Sequence, residues 1–361
     1  MDVKRLGDIA TYINGYAFKP EDRGNEGLPI IRIQDLTGNA YDQGFYSGKY
    51  PSRIEINDGD VLISWSASLG VYVWNHGKAL LNQHIFKVVF DKEPVDKQYF
   101  VYAVRYNLKE MESKTHGATM KHIVKKDFDN TLVPFPSLEK QAEIAGLLQK
   151  VTAIIDARQK ELSSLDELVK ARFVEMFAGE KNLMAMSDIC SIITDGTHQP
   201  PKFKEDGIPF IFVSNITSDK LTYEAEKFID QDTYNELVKR TPIEIGDVLL
   251  STVGSYGHPA VVKSDKKFLF QRHIAYLKPK KEIVDSDYLH GAILSPGAQR
   301  QIEQGVKGIA QKTLNLSEIK KMRIPIPNMD KQKEFATFVA QVDKSKSRKE
   351  LNLKTEIRLV S

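Results

Sequence analysis

Gly59-Asp60-Val61-Leu62-Ile63-Ser64 returns later in the chain as Gly246-Asp247-Val248-Leu249-Leu250-Ser251, 187 residues on. Other pairs flank it in the same order. Gly27-Leu28-Pro29-Ile30-Ile31-Arg32-Ile33 answers Gly207-Ile208-Pro209-Phe210-Ile211-Phe212-Val213, Gln83-His84-Ile85 answers Arg272-His273-Ile274, and Pro134-Phe135-Pro136 answers Pro325-Ile326-Pro327. The offset drifts from 180 to 191, as small insertions would make it. A period near 185 is far beyond the roughly 20–50 residues of a solenoid repeat, so the chain carries a duplicated domain. Two similar domains suggest a pseudo-dyad, a symmetry that B-DNA shares.

Within the first copy, Pro29 to Ile33, Val61 to Ser64, Val71 to Trp74 and Ile85 to Phe90 read as strands, and Asp96 to Met111 as a helix with an acidic start. The class is therefore α+β. After Pro136 a helix opens that meets no proline and only one glycine, Gly146, before Ala178. Ile144, Leu148, Val151, Ile155, Leu162, Leu165, Val169 and Met176 recur along it in steps of three and four, with Arg158 and Arg172 completing the series. That is a heptad seam on a rod of about 60 Å. Its partner is expected to be its own copy, which begins near Asp330 with Phe335, Val339 and Val342, so that two duplicated α+β domains are separated by two long helices in an antiparallel coiled coil. The divisions are residues 1–138 for the first domain, 139–178 for the central helix, 183–328 for the second domain and 329–361 for the distal helix. From Lys346 the distal seam turns charged, and the reading is a coil whose far half is loose, or a helix shortened or altered at its end.

Composition narrows the function. There are 51 Lys and Arg against 48 Asp and Glu, and residues from Lys331 onward account for the whole excess. Nucleic acid would therefore be met through local patches, not a generally basic surface. The single cysteine excludes an internal disulfide, and no apolar run is long enough to span a membrane or serve as a signal-peptide core, so the protein is expected in the cytoplasm. No catalytic centre is indicated. The nearest string to an adenine methyltransferase loop, Gln199-Pro200-Pro201-Lys202, has lysine where the chemistry needs an aromatic platform. No phosphate-binding glycine loop, nucleophile elbow or metal-ligand spacing accompanies it.

The chain resembles the specificity subunit of type I restriction-modification systems. The resemblance rests on Pro134, Pro136, Leu138, Gln141 and Ile144 opening the central helix, and on Pro325, Pro327, Met329, Gln332 and Phe335 opening the distal one. It is carried further by Gly117 to Ile123 and Gly308 to Leu314, by the Gly-Asp-Val-Leu strands, and by Asp195-Gly196-Thr197-His198-Gln199-Pro200-Pro201-Lys202-Phe203. Lys140 and Lys331 depart from the glutamate common before the glutamine. The resemblance implies a subunit that is not itself a catalyst. Each domain would read half of a bipartite site on double-stranded DNA, and the helices would space the domains and dock two modification subunits. Restriction subunits would join the full complex, with S-adenosylmethionine, ATP and magnesium on the partners and no cofactor on this chain. The rivals are a fused restriction-modification polypeptide, which the missing motifs oppose, a coiled-coil scaffold, and a silent or recombining copy.

Four loops in each domain are rich in residues that bind phosphates or base edges. The first offers Asn14, Tyr16 and Lys19 against Thr197, His198, Gln199 and Lys202; the second Ser64, Trp65, Ser66 and Ser68 against Thr252, Ser255, Tyr256 and His258. The third offers Asn82 and Gln83 against Gln271 and Arg272; the fourth Lys114 and Lys121 against Lys307, Gln311 and Lys312. Ser64 and Ser251 also read as strand ends, Trp65 as core, and His84 and His273 as structural histidines. Lys121 and Lys312 match between domains and so suit phosphates. Asn82-Gln83 and Gln271-Arg272 differ and so suit bases.

Overall fold

A computed structural model describes residues 2–113, 122–308 and 311–358. The chain divides into two compact units, Met1–Ile154 and Ile155–Ser361.

In unit 1 the opening strand, Val3–Arg5, pairs antiparallel with Leu132–Pro134 and so ties the start of the domain to its end. The central sheet runs Thr11–Asn14, Ile85–Val89, Val61–Ser64, Gly70–Val73, all antiparallel. A second sheet contains Gly44–Tyr46, Leu28–Ile31, Ala79–Leu81 and Glu55–Ile56, with one parallel pair, Ile30 opposite Leu80. Unit 2 repeats this plan. Leu183–Ala185 pairs with Arg323–Pro325, the central sheet runs Cys190–Asp195, Ile274–Pro279, Val248–Ser251, Pro259–Val261, and Ile208–Ile211 lies between Phe228–Ile229 and Leu269–Phe270.

The repeated Gly-Asp-Val-Leu strands are buried along their whole length because their two faces enter different cores. Val61 and Ile63 pack under the helices, while Leu62 packs toward the second sheet with Trp74 and Leu81. Val248 and Leu250 divide from Leu249 in the same way. The preceding glycines take left-handed conformations, φ 87° at Gly59 and 95° at Gly246. Asp60 and Asp247 then close the turn by accepting from the amides of Asn57 at 2.8 Å and Glu244 at 2.7 Å. The motif is thus a structural device.

One strand expectation needs correction. The strand from residue 28 ends at Ile31, and Ile33–Thr37 is a short helix. The Asp35 carboxylate accepts from the Arg32 amide at 2.8 Å, and Gly38, φ 73°, ends the helix. The helix expected from Asp96 spans Lys97–Ser113, with Asp96 as its cap: Asp96 Oδ1 accepts from the Tyr99 amide at 2.8 Å.

The long helices are Leu138–Phe177 and Met329–Arg358. Each begins on a buried glutamine. Gln141 donates through Nε2 to the Pro136 carbonyl at 2.8 Å and accepts through Oε1 from the Asp96 amide at 3.0 Å. Gln332 donates to the carbonyls of Pro327 at 2.9 Å and Ile283 at 3.0 Å and accepts from the Asp285 amide at 2.9 Å. A tyrosine reinforces each clamp, with Tyr99 donating to the Pro134 carbonyl at 2.9 Å and Tyr288 to the Pro325 carbonyl at 2.6 Å.

All eight seam residues expected on the central helix are half-buried, as are Arg158 and Arg172. Toward its end the buried face moves one residue along, to Phe173 and Phe177, which pack edge-on against Phe335. Within unit 2 the helices run antiparallel: Arg172 reaches Glu334, Asp166 meets Lys346, and Glu161 meets Lys349. The expectation of a loose far half is thereby corrected as far as Leu353. Lys346 and Lys349 lay their stems along the seam and carry their ammonium groups to carboxylates of the facing helix, and Leu353 is again buried. Glu356 has no described side chain and Val360 lies outside the described residues.

Gln332→Leu would leave one amide and two carbonyls without their partner and should cost about 2–3 kcal/mol in thermal or urea unfolding; an unchanged midpoint would show that water replaces the clamp. The coil also carries a pH signature. The Lys349 ammonium, bonded to Glu161, holds that carboxyl below the usual glutamate range. A lowered carboxyl contributes stability above its unfolded value and loses it as pH falls through the folded one. Acidification below the ordinary glutamate range should therefore loosen the coil more in the native chain than in Glu161→Gln, read by hydrogen exchange of residues 342–353.

Candidate nucleic-acid interface

Antiparallel order in the central sheet brings the candidate loops to one end of each unit. Thr11–Asn14 ends where Ile85–Val89 begins, and Val61–Ser64 ends at that same edge. Backbone bonds then stitch the loops together. In unit 1 the Tyr16 amide donates to the Leu81 carbonyl at 2.8 Å and the Gln83 amide to the Tyr16 carbonyl at 2.9 Å. The Trp65 amide donates to the His84 carbonyl at 3.1 Å, and the Ile123 amide to the Trp65 carbonyl at 3.0 Å. Unit 2 repeats each step: Thr197 to Phe270 at 2.9 Å, Arg272 to Thr197 at 3.0 Å, Thr252 to His273 at 2.9 Å and Leu314 to Thr252 at 2.8 Å. The two histidines thus hold equivalent places through their carbonyls, and His84 does so with a left-handed φ of 73°.

The first loop crosses the third so closely that only glycine fits. A Cβ on Gly15 would stand 2.0 Å from the Asn82 carbonyl oxygen, and one on Gly196 2.3 Å from that of Phe270. This pair aligns Asn14 with Asp195. Asn14 Oδ1 accepts from the Trp65 indole at 3.2 Å, while Asp195 binds His198 at 2.8 Å and also Arg240. Asp195 and Arg240 were missed as members of the surface; the equivalence of Gly15 and Gly196 was the signal available for Asp195.

Side-chain placement divides the expected residues. Asn14, Tyr16, Lys19, Ser68, Gln83, His198, Gln199, Lys202, Ser255, Arg272, Lys307, Gln311 and Lys312 are exposed. Trp65, Asn82, Thr197, Tyr256, His258 and Gln271 are half-buried. Ser64, Ser66 and Thr252 are corrections: they are 1%, 2% and 5% exposed and do not face a ligand. Ser64 donates to the Ser68 carbonyl at 2.6 Å, closing its own turn, and Ser251 does the same work by accepting from the His258 amide at 2.9 Å. The Trp65 ring lies over Phe86 and against His84, so it belongs to both core and surface. Lys19 pairs with Glu21 in its own turn. Lys312 is engaged by Glu303 at 3.3 Å and lies over the Tyr256 ring, whose hydroxyl also donates to Glu303 at 2.6 Å. His258 is held by Asp219 at 2.9 Å. Lys114 and Lys121 lie outside the described residues. In unit 2 a cleft of about 260 Å³ opens among the loops, lined by Asp195, Arg272, His273, Gln311 and Asn315.

The model of the type I restriction modification DNA specificity domain matches this chain twice, over residues 1–167 and 180–359. The chain belongs to that family. The specificity subunit of the type I restriction enzyme EcoBI from Escherichia coli is 26% identical to it over 372 residues, 93% of this chain and 78% of the relative. The MjaVIII specificity subunit of Methanocaldococcus jannaschii is 21% identical over 369 residues, 95% and 86% of the two chains. Among solved structures, the S subunit of a type I system from M. genitalium superposes with a TM-score of 0.50 at 14% identity, covering 99% of this chain and 93% of that one. A chain from a study of complex assembly and conformational transition in a type I system gives 0.54 at 17%, covering 99% and 95%. These two likenesses show the fold. This specificity subunit is a non-catalytic component of a type I system and carries two DNA-recognition domains. Among the described residues no helix is long and apolar enough to cross a membrane.

Gly15→Ala should force the first loop off the third. The expected cost is about 1–3 kcal/mol, with faster hydrogen exchange at the Gln83 amide. Gly146→Ala, where a Cβ meets nothing within 4 Å, should instead be neutral or stabilising by up to about 1 kcal/mol. Equal behaviour of the two variants would refute the crossing as a constraint.

Proposed function

We propose that each unit reads one half of a bipartite target on double-stranded DNA, while the two long helices space the units and dock two modification subunits. The observation that carries this reading is a contrast. The same loops are joined by the same backbone bonds in both units, yet the side chains they present differ, Asn82-Gln83 against Gln271-Arg272. Shared backbone with unshared side chains suits a common way of approaching DNA with two different sequences to read. S-adenosylmethionine, ATP and magnesium would act on modification and restriction subunits, in the cytoplasm of a prokaryotic cell. The half-sites would lie on one DNA face with centres about 34–36 Å apart, separated by unread base pairs. The methylated adenines would fall on opposite strands.

Exchanging residues 1–138 for the first domain of another specificity subunit should change one half of the methylated motif and leave the other intact. Methylome sequencing of cells that carry the hybrid and its modification subunit reads this directly. A hybrid that alters both halves, or a continuous motif, would defeat the proposal. A DNA-independent scaffold predicts no methylated motif at all.

A further inference from the structure

Arg272 and His273 form the turn before strand Ile274–Pro279, and two neighbouring loops grip their backbone, the Arg272 amide through the Thr197 carbonyl and the His273 carbonyl through the Thr252 amide. Their side chains are coupled as well, with Arg272 Nε donating to His273 Nε2 at 3.4 Å. Asp195 lines the same cleft, but its carboxylate is occupied by Arg240 and His198. Among the described residues no carboxylate stands within ion-pair distance of Arg272. An exposed arginine held by Nε keeps both terminal nitrogens available, and that fork donates to O6 and N7 of guanine. We propose that Arg272 reads a guanine in the half-site of unit 2 and that His273 is the positioning residue that aims it; this rests on the DNA-reading assignment above.

The equivalent residues of unit 1 sharpen the proposal. Gln83 takes the place of Arg272; its backbone is gripped in the same way, with its amide bonded to the Tyr16 carbonyl and to Asn82 Oδ1, both at 2.9 Å. Its side chain is exposed and presents one donor and one acceptor, the complement of adenine N6 and N7. The two half-sites therefore differ at the corresponding base, guanine for unit 2 and adenine for unit 1.

The bond from Arg272 needs a lone pair on His273 Nε2 and hence a neutral imidazole. Burial first, and then the adjacent Arg272 charge, hold the His273 pKa below its ordinary value. The other charged groups at the cleft are Asp195 across it, with the Arg240 and His198 it binds, while Gln311 and Asn315 are uncharged. Protonation of His273 turns its acceptor into a donor and releases Arg272.

The test uses the full chain assembled with its modification subunits, with the methylated motif sequenced and competition binding measured on duplexes that differ at single positions. Arg272→Ala should lose discrimination at one position of one half-site, on the order of ten- to a hundredfold, and Arg272→Gln should shift that position from guanine to adenine. His273→Phe keeps a ring but removes the acceptor, and should relax the same position. His273→Gln, whose carbonyl oxygen accepts from Nε, should restore it and also abolish the loss of discrimination that the native complex shows as pH falls below the ordinary histidine range. An unchanged motif in Arg272→Ala overturns the guanine assignment. A His273→Phe complex that discriminates like the native one, or a His273→Gln complex no better than His273→Phe, overturns the positioning role. Failure of the native complex to methylate any bipartite motif would strike the DNA-reading assignment instead.

Discussion

A buried amide side chain at the root of each long helix is the contact on which the rest of this architecture hangs. Gln141 and Gln332 are almost wholly excluded from solvent, and each joins the first helical turn to the proline before it and to the cap of a helix inside the recognition domain. A buried amide is tolerated only where its donors and acceptor are met, and here they are met by backbone groups that have no other described partner of that kind. The clamp therefore sets the direction in which each helix leaves its domain. It does so through hydrogen bonds from one side chain to backbone groups whose places the fold fixes, which suits a subunit whose proposed work depends on spacing.

Above the clamp, each unit separates what must be constant from what can vary. The central strands divide their faces between two cores, the aspartate after each left-handed glycine closes the turn, and the loops are sewn together by backbone bonds. None of these restraints uses the side chains at the exposed tips, so those tips tolerate change. The units also tolerate exchange of internal chemistry. Arg32 is buried in a network with Asp35 and Asp42 in unit 1, whereas Phe212, its equivalent, joins an aromatic group with Phe203 and Phe210 in unit 2. In both, the same backbone amide is capped three residues later, by Asp35 or by Asn215.

The coil shows how a seam survives the loss of its apolar residues. Lysine carries a four-carbon stem that covers the facing helix while its charge escapes to Asp166 or Glu161. Such pairs contribute little at a solvated edge, so this half of the coil is held more weakly than the half built on Phe173, Phe177 and Phe335, which also packs against Tyr288 of the domain. Firm packing beside the recognition domain passes into weaker pairing farther along.

Duplication, the α+β class and the rod were legible in the sequence because each is a matter of order and period. Repeated motifs keep their order whatever the fold, and a seam in steps of three and four has only one helical meaning. The candidate loops were legible as places rich in polar side chains, but not as a surface. Ser64, Ser66 and Thr252 look like ligands in a string and prove to be buried, and the Ser64 hydroxyl closes its own turn, since one hydroxyl serves either use. Asp195 and Arg240 are 45 residues apart and meet only in three dimensions. Gly15 and Gly196 owe their identity to a backbone crossing that no local signal records. Charged lysines on the distal seam read as decay, because hydropathy scores a side chain whole while burial acts on its atoms separately. Local pattern determined which elements exist and in what order; long-range contact alone decided which polar side chains face outward.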